Sequence, residues 1–258
     1  MTIFFYCTKR LFIFSLACLI VGSACARDLP QTIEAVKPSV VGIGTFLPTR
    51  SPSVVFSGTG FVVGDGLTVI TNAHVVKGVS NGEVNEQIGI IVGKGETTEF
   101  RSAAVVSIDT EHDLARLKIS GVPLPPMEVG DSGNVLEGQA IAYTGFPLGM
   151  VLGLHHVTHR GMISAITPIV MPAIDSKKLD VKMIAQLRKS PYFIFQIDGT
   201  AYPGNSGSPL YDPETGTVYG VINSGFVKGL KETAITNPSG ITYAIPARYV
   251  RDLLLKAP

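Results

Sequence analysis

Cysteine is missing from nearly all of this chain. The three that exist, Cys7, Cys18 and Cys25, all lie before residue 26 of 258. Whatever follows must therefore hold itself together by core burial, without disulfides, which a remainder of roughly 230 residues can do. That excludes a small disulfide-stapled scaffold. Charge is scarce too: charged residues are 16% of the chain and the formal net charge is +1. With no basic run and no basic stripe interleaved with aromatics, there is no electrostatic footprint for nucleic acid, which is not expected as a partner. Internal repeats and low-complexity tracts are also absent. One further absence governs the chemistry: no histidine follows residue 159.

What is present begins with a leader. Lys9 and Arg10 precede the apolar stretch "LFIFSLACLIVGS", and "ACA" at residues 24–26 supplies small residues for cleavage, so residues 1–26 read as an export signal. The apolar stretch is short for a membrane span. The small residues in "VGSAC" also suit a lipoprotein leader, with a lipid anchor at Cys25, although glycine stands where leucine is usual. An uncleaved anchor and a fortuitous apolar start are the remaining readings. The expected destination is the periplasm or the exterior.

After a short helix in "LPQTIEAVKPS", stopped at Pro38, the chain is a succession of short β-rich runs. They are "VVGIGTF", "GTGFVV", "LTVIT", "IGIIV", "AAVVSI", "LARLKI", "QAIAYTGF", "GMISAI", "YFIFQI", "VYGVINS" and "ITYAI", separated by Gly, Pro, Asn and Asp. So many strands without helices between them predict an all-β fold, and a pair of closed barrels is the economical way to hide their edges. Pro and Gly concentrate in residues 120–133, which places the boundary between halves there: a first barrel over about 38–122 and a second over about 123–245. "IPARYVRDLLLK" predicts a closing helix over 246–256, with Tyr249, Val250, Leu253 and Leu254 on one face. Residues 167–191 break the β pattern. A short amphipathic helix over 179–189, within a surface insertion, is the expectation there.

The candidate chemistry centres on "GTAYPGNSGSPL". Pro, Gly, Asn and Gly around Ser206 describe either a plain turn or a nucleophile on a rigid loop. A serine hydroxyl needs a base, and the base needs a third group to fix its tautomer and orientation. Since no histidine comes after Ser206, the order in which histidine follows serine is excluded, and "GNSGS" lacks the last glycine of G-x-S-x-G. The order His, Asp, Ser remains. His74, where a β run ends in "LTVITNAHVV", and Asp113, where loop becomes apolar strand in "DTEHDLARLKI", fit it. His112 competes nominally for the base role. Neighbours on a strand point to opposite faces, so it cannot readily reach Asp113.

These stretches resemble the trypsin-like serine proteases of the bacterial HtrA/Deg branch. "TNAHVV", "HDLARLKI" and "DGTAYPGNSGSPL" are similar to its His, Asp and Ser motifs. The likeness continues through "VGDSGNVLEGQAIAYTGFPLG", "GMISAI", "VYGVINSGF" and "ITYAIPARYV". The resemblance implies two six-stranded barrels with His74 as base, Asp113 as its orienting carboxylate and Ser206 as nucleophile. It also implies an oxyanion hole from the amides of Gly204 and Ser206, polypeptide substrates and no cofactor. Thr200, six before the nucleophile, would lie at the base of the primary pocket, with Asn223, Ser224 and Gly225 as one wall. A neutral, small Thr200 predicts cleavage after small or medium apolar residues, and Asp198 is read as structural. Ser208 replaces the second glycine of "GNSGG", as in glutamyl endopeptidases, yet Ile222 stands where those enzymes carry histidine. Asn205 stands where digestive relatives carry an acid that pairs with a freed N-terminus, so activation by clipping is not expected.

The chain stops after the closing helix, and no PDZ-mediated partner is expected. Tyr202-Pro203 is read as part of a loop that could switch the oxyanion hole. A non-catalytic or latent peptide-binding protein on a protease scaffold is the alternative reading. "HHVTHRG" places His155, His156 and His159 together, but no acid or cysteine completes a metal set, and none is expected. "IGIIVGKG" and "GTGFVV" miss the phosphate-loop and dinucleotide spacings.

Overall fold

A computed structural model describes residues 28–77, 86–94, 97–149, 153–168, 192–223 and 241–256. The leader with Cys25, residues Ser224 and Gly225, and the helix expected over 179–189 lie outside them. Among the described residues no helix is long and apolar enough to cross a membrane.

Helix α1 (Leu29–Val36) starts where Asp28 accepts from the amide of Gln31, with Pro30 in its first turn. Twelve strands follow: β1 (Val40–Phe46), β2 (Val54–Val63), β3 (Thr68–Asn72), β4 (Gln87–Lys94), β5 (Thr97–Asp109), β6 (Leu114–Ile119), β7 (Ala140–Gly145), β8 (Val157–Pro168), β9 (Phe193–Asp198), β10 (Pro209–Tyr211), β11 (Val218–Asn223) and β12 (Ile241–Pro246). They form two closed antiparallel barrels, β1-β2-β3-β6-β5-β4 and β7-β8-β9-β12-β11-β10. The strand order is the same in both, a repeat of topology that no repeat of residues announces. The one strand missing from the sequence reading is β10. It is three residues long and opens on Pro209, a position where a missing N–H is tolerated. Short as it is, β10 closes the second barrel, pairing Leu210 with Tyr143 on β7 and with Gly220 on β11.

Most central strands read as continuous apolar runs because both of their faces are buried. On β2 and β3, Val62 and Val69 fill the first barrel while Phe61 and Ile70 face outward. There Phe61, Ile70 and Leu114 meet Phe146, Tyr211, Val221 and Ile245 of the second barrel in a core shared between the two. The second barrel is filled by Ile141, Tyr143, Ile163, Phe195, Ile197, Leu210 and Ile222. Three apolar clusters, two inside barrels and one between them, thus replace the missing disulfides.

Helix α3 (Ala247–Leu255) inserts Val250 and Leu253 into the shared core. Pro246, at its N-cap, offers no side-chain acceptor. Ser132, more than a hundred residues earlier, accepts from the Arg248 amide with its hydroxyl at 2.9 Å. At the other end Arg116 of β6 donates to the carbonyls of Leu254 and Lys256, 3.0 and 3.3 Å away. Replacing the borrowed cap, Ser132→Ala, should lower stability by about 1 kcal/mol, read by urea denaturation.

Candidate active site

His74 lies at the start of a one-turn helix, α2 (Ala73–Lys77), immediately after β3, and not on the strand end itself. The β3 end is paired to the start of β6, Asn72 opposite Leu114, which brings Asp113 beside His74. The carbonyl of Asp113 accepts from the Ala73 amide (2.9 Å) and from the Asn72 side chain (3.1 Å). These bonds hold Asp113 at φ 53°, in the left-handed region, which short polar residues tolerate better than most. The Asp113 carboxylate then faces His74: Oδ1 accepts from the His74 amide at 2.8 Å and Oδ2 lies 2.5 Å from Nδ1.

A third donor comes from the other barrel. Asn223, at the end of β11 and 1% exposed, donates from Nδ2 to Asp113 Oδ2 at 2.8 Å. Asn223 was expected to line the pocket; its side chain is committed to the acid. Burial works to raise the Asp113 pKa, but the hydrogen bonds and charge of His74 and the Asn223 amide outweigh it and hold the carboxyl below the ordinary range. An ionised carboxylate can only accept. Nδ1 of His74 therefore carries a proton, which makes Nε2 the acceptor nitrogen of the neutral ring.

Ser206 sits on two consecutive turns. The Asn205 amide donates to Tyr202 O and the Ser208 amide to Asn205 O, each at 3.0 Å. The third residue of each turn is a glycine with positive φ, Gly204 at 101° and Gly207 at 88°, as type II turns require, and Pro203 occupies the preferred second position of the first. Space as well as φ selects glycine. A Cβ on Gly207 would fall 2.0 Å from Thr59 O, and one on Gly204 2.3 Å from Phe146 O. The local chemistry of "PGNSG" is thus two turns linked at Asn205, with Ser206 buried at the second position of the second.

Thr59 of β2, fully buried, pins these turns across the seam, and sequence reasoning missed it. Its amide donates to Ser206 O (2.9 Å), its hydroxyl donates to Gly204 O (2.7 Å) and accepts from the Phe146 amide (3.2 Å), and its carbonyl accepts from Thr71 Oγ1 (2.7 Å). On the far side the Gly207 amide donates to Ile222 O, one residue from Asn223. Gly58, next to Thr59, passes between the two halves: a Cβ there would meet Val75 at 2.8 Å and Ser206 O at 3.1 Å. His74, Asp113 and Ser206 are therefore carried to one seam between the barrels.

The Thr200 carbonyl accepts from the Tyr143 hydroxyl at 2.9 Å, and the amide of Ala201 and the carbonyl of Gly199 share the hydroxyl of Thr242. Of the three clustered histidines only His159 is on β8, stacked on Tyr143 with ring centroids 4.9 Å apart. His156 reaches Val40 O with Nε2 instead. They do not converge, and among the described residues no group of three His, Cys, Asp or Glu side chains could hold a metal.

A family model for the trypsin-like peptidase domain matches residues 58–221. This chain belongs to that family. Its relatives include HTRA and DegP-like serine proteases. It is 31% identical over 231 residues to human serine protease HTRA4, covering 88% of this chain and 40% of that one. It is 30% identical over 197 residues to a probable periplasmic serine endoprotease, DegP-like, of Halomonas elongata, covering 76% and 34%. The chain thus spans two-fifths or less of the length of these curated relatives. Among solved structures, the active form of the Rv3671c protease of M. tuberculosis superposes with a TM-score of 0.61 at 25% identity, covering 88% of this chain and 83% of that one. The trypsin-like double barrel of the family is the fold described above.

Two outcomes follow from the geometry. Thr59→Val removes the donor to Gly204 O and the acceptor for the Phe146 amide while keeping the shape; it should cost about 1–3 kcal/mol in denaturation, with Thr59→Ser restoring most of it. Asp113 has a folded pKa below its unfolded one, so its stabilisation is complete above about pH 4, the unfolded value, and is lost as pH falls through the folded value. The melting-temperature difference between wild type and Asp113→Asn should therefore shrink as pH drops below about 4.

Proposed function

We propose that the chain is an exported serine endopeptidase in which Ser206 attacks the scissile carbonyl. The observation that carries this reading is the inter-barrel bond set around Asp113. It occupies the Nδ1–H of His74, so Nε2 is the nitrogen assigned to act as base, on the same seam as the turn that bears Ser206. Nε2 takes the Ser206 proton as the C–O bond forms, then returns it to the departing amine as the C–N bond breaks. Water, deprotonated by the same nitrogen, hydrolyses the acyl-enzyme. Asp113 stays ionised throughout and stabilises the imidazolium. The amides of Gly204 and Ser206 are assigned to the developing oxyanion, a role suited to donors fixed in a glycine-directed turn that needs no rearrangement during reaction.

Thr200, Ser224 and Gly225 are assigned to the primary pocket, and Asn223 is kept there only through its backbone, which ends a strand suited to pairing with an extended substrate. With neutral, small Thr200 the substrates are polypeptides cut after Ala, Val or Ile. The periplasmic designation of the Halomonas relative supports an exported location, with the leader at residues 1–26 removed or Cys25 lipidated. To that location we add, as part of the proposal, a role in envelope protein quality control. The barrels are taken as residues 38–122 and 123–245.

The test is digestion of unfolded casein with cleavage sites mapped by mass spectrometry. Ser206→Ala should lower turnover by at least ~10⁴-fold, and a fluorophosphonate should label wild type but not this variant. Failure of the wild type to label or cleave would leave a peptide-binding protein as the reading. Arg, Lys or Glu dominating before the cut would overturn the pocket assignment alone.

A further inference from the structure

Asp113 holds a left-handed backbone that most residues avoid, and such a conformation persists only where its surroundings over-determine it. The bonds from Asn72, Ala73 and His74 restrain one side of the loop. The residue immediately before it, His112, is restrained from the other.

Asp109, at the end of β5, caps this loop. Its Oδ1 accepts from the amides of Glu111 (3.0 Å) and His112 (3.1 Å); its Oδ2 accepts from His112 Nδ1 (2.9 Å) and from Lys256 Nζ (3.2 Å) just after α3. The His112 ring lies flat on Tyr249 of α3, centroids 3.9 Å apart at 17°, and meets the edge of Tyr192, just before β9, at 4.8 Å and 72°. Tyr192 and Tyr249 meet each other at 79°. Arg248 sits over the Tyr249 ring and donates to its hydroxyl at 2.7 Å. Burial pushes the Asp109 carboxyl up, but the His112 and Lys256 contacts prevail and bring it to about 2, so the anchor stays charged at neutral pH. Burial, and then the charge of Asp113, raise the Tyr192 phenol. Two parts of the second barrel, α3 and the lead into β9, therefore grip a first-barrel residue adjacent to the acid.

We infer that His112 is a positioning residue for the proposed hydrolysis: clasped by Asp109, Tyr192 and Tyr249, it fixes the Asp113 backbone so that the carboxylate meets His74. What separates it from His74 is its surroundings, a ring stacked on Tyr249 and met edge-on by Tyr192. The inference rests on the triad proposed above.

A double-mutant cycle separates the two claims. On the full chain, kcat and KM on a cleavable peptide and the rate of fluorophosphonate labelling are measured for wild type, His112→Ala, Asp113→Asn and the double variant, with thermal melts confirming folding. His112→Ala should lower kcat by about 10–100-fold with KM changed by less than about 3-fold, the signature of a misplaced catalytic group. In the Asp113→Asn background the same change should cost less than about 3-fold, because a residue acting through Asp113 has nothing left to position. His112→Asn, which can keep the Asp109 bond, and His112→Phe, which keeps the ring, should each recover part of the loss. Equal losses in both backgrounds would overturn the positioning role while leaving the triad standing. An unchanged rate for Asp113→Asn alone would overturn the triad and this inference with it. If His112→Ala does not fold, Tyr249→Leu removes the stacking face and runs the same cycle.

Discussion

Three donors converge on one carboxylate, and much of the seam depends on it. Asp113 receives the amide and ring of His74 from its own barrel and the Asn223 amide from the other. Leaving a half-buried carboxylate without these partners would be costly, so the pairing constrains β3, β6 and β11 at once. Fixing the acid also fixes the tautomer of His74. The electrostatics that stabilise the seam are thus the same ones that prepare a base.

The nucleophile side solves a different problem. Ser206 has a short side chain, and the backbone around it is set by two glycine turns, held by Thr59 on one flank and by Ile222 on the other. The close approaches at Gly204, Gly207 and Gly58 leave no room for side chains and pack the turns against β2 and residues 146–148. Rigid backbone donors cost little to reorganise when charge develops, which is why such a turn suits acyl transfer. The strand that follows, β10, is too short to persist alone. It is held because it pairs with β7 and β11 to close a barrel, so barrel closure also anchors the chain leaving the serine turn.

The two barrels also depend on each other for rigidity at the back of the site. Asp109 and His112 reach α3 and Tyr192, Arg116 ties the end of α3, and Ser132 caps its start. With no disulfide in the described residues, these inter-barrel bonds and the shared core around Phe61, Ile70, Phe146 and Tyr211 perform the stapling.

Alternating and doubly buried apolar runs, turn residues and the order His74, Asp113, Ser206 were legible in the sequence because each is a local pattern or a matter of chain order. Periodicity showed eleven of the twelve strands; β10 escaped because three residues opening on proline carry no period. The glycines of "PGNSG" announced a turn since positive φ is a property of single residues. Partnerships between the barrels were not legible. That the side chain of Asn223 serves the acid, that Thr59 pins the serine turn, that His112 is clasped by Tyr192 and Tyr249, and that His156 and His159 find different partners are all set by which strands meet after both barrels close. Residues far apart in the chain carry no mark of one another; only the tertiary structure, by bringing β2, β6, β11 and α3 to a common seam, decided their partners.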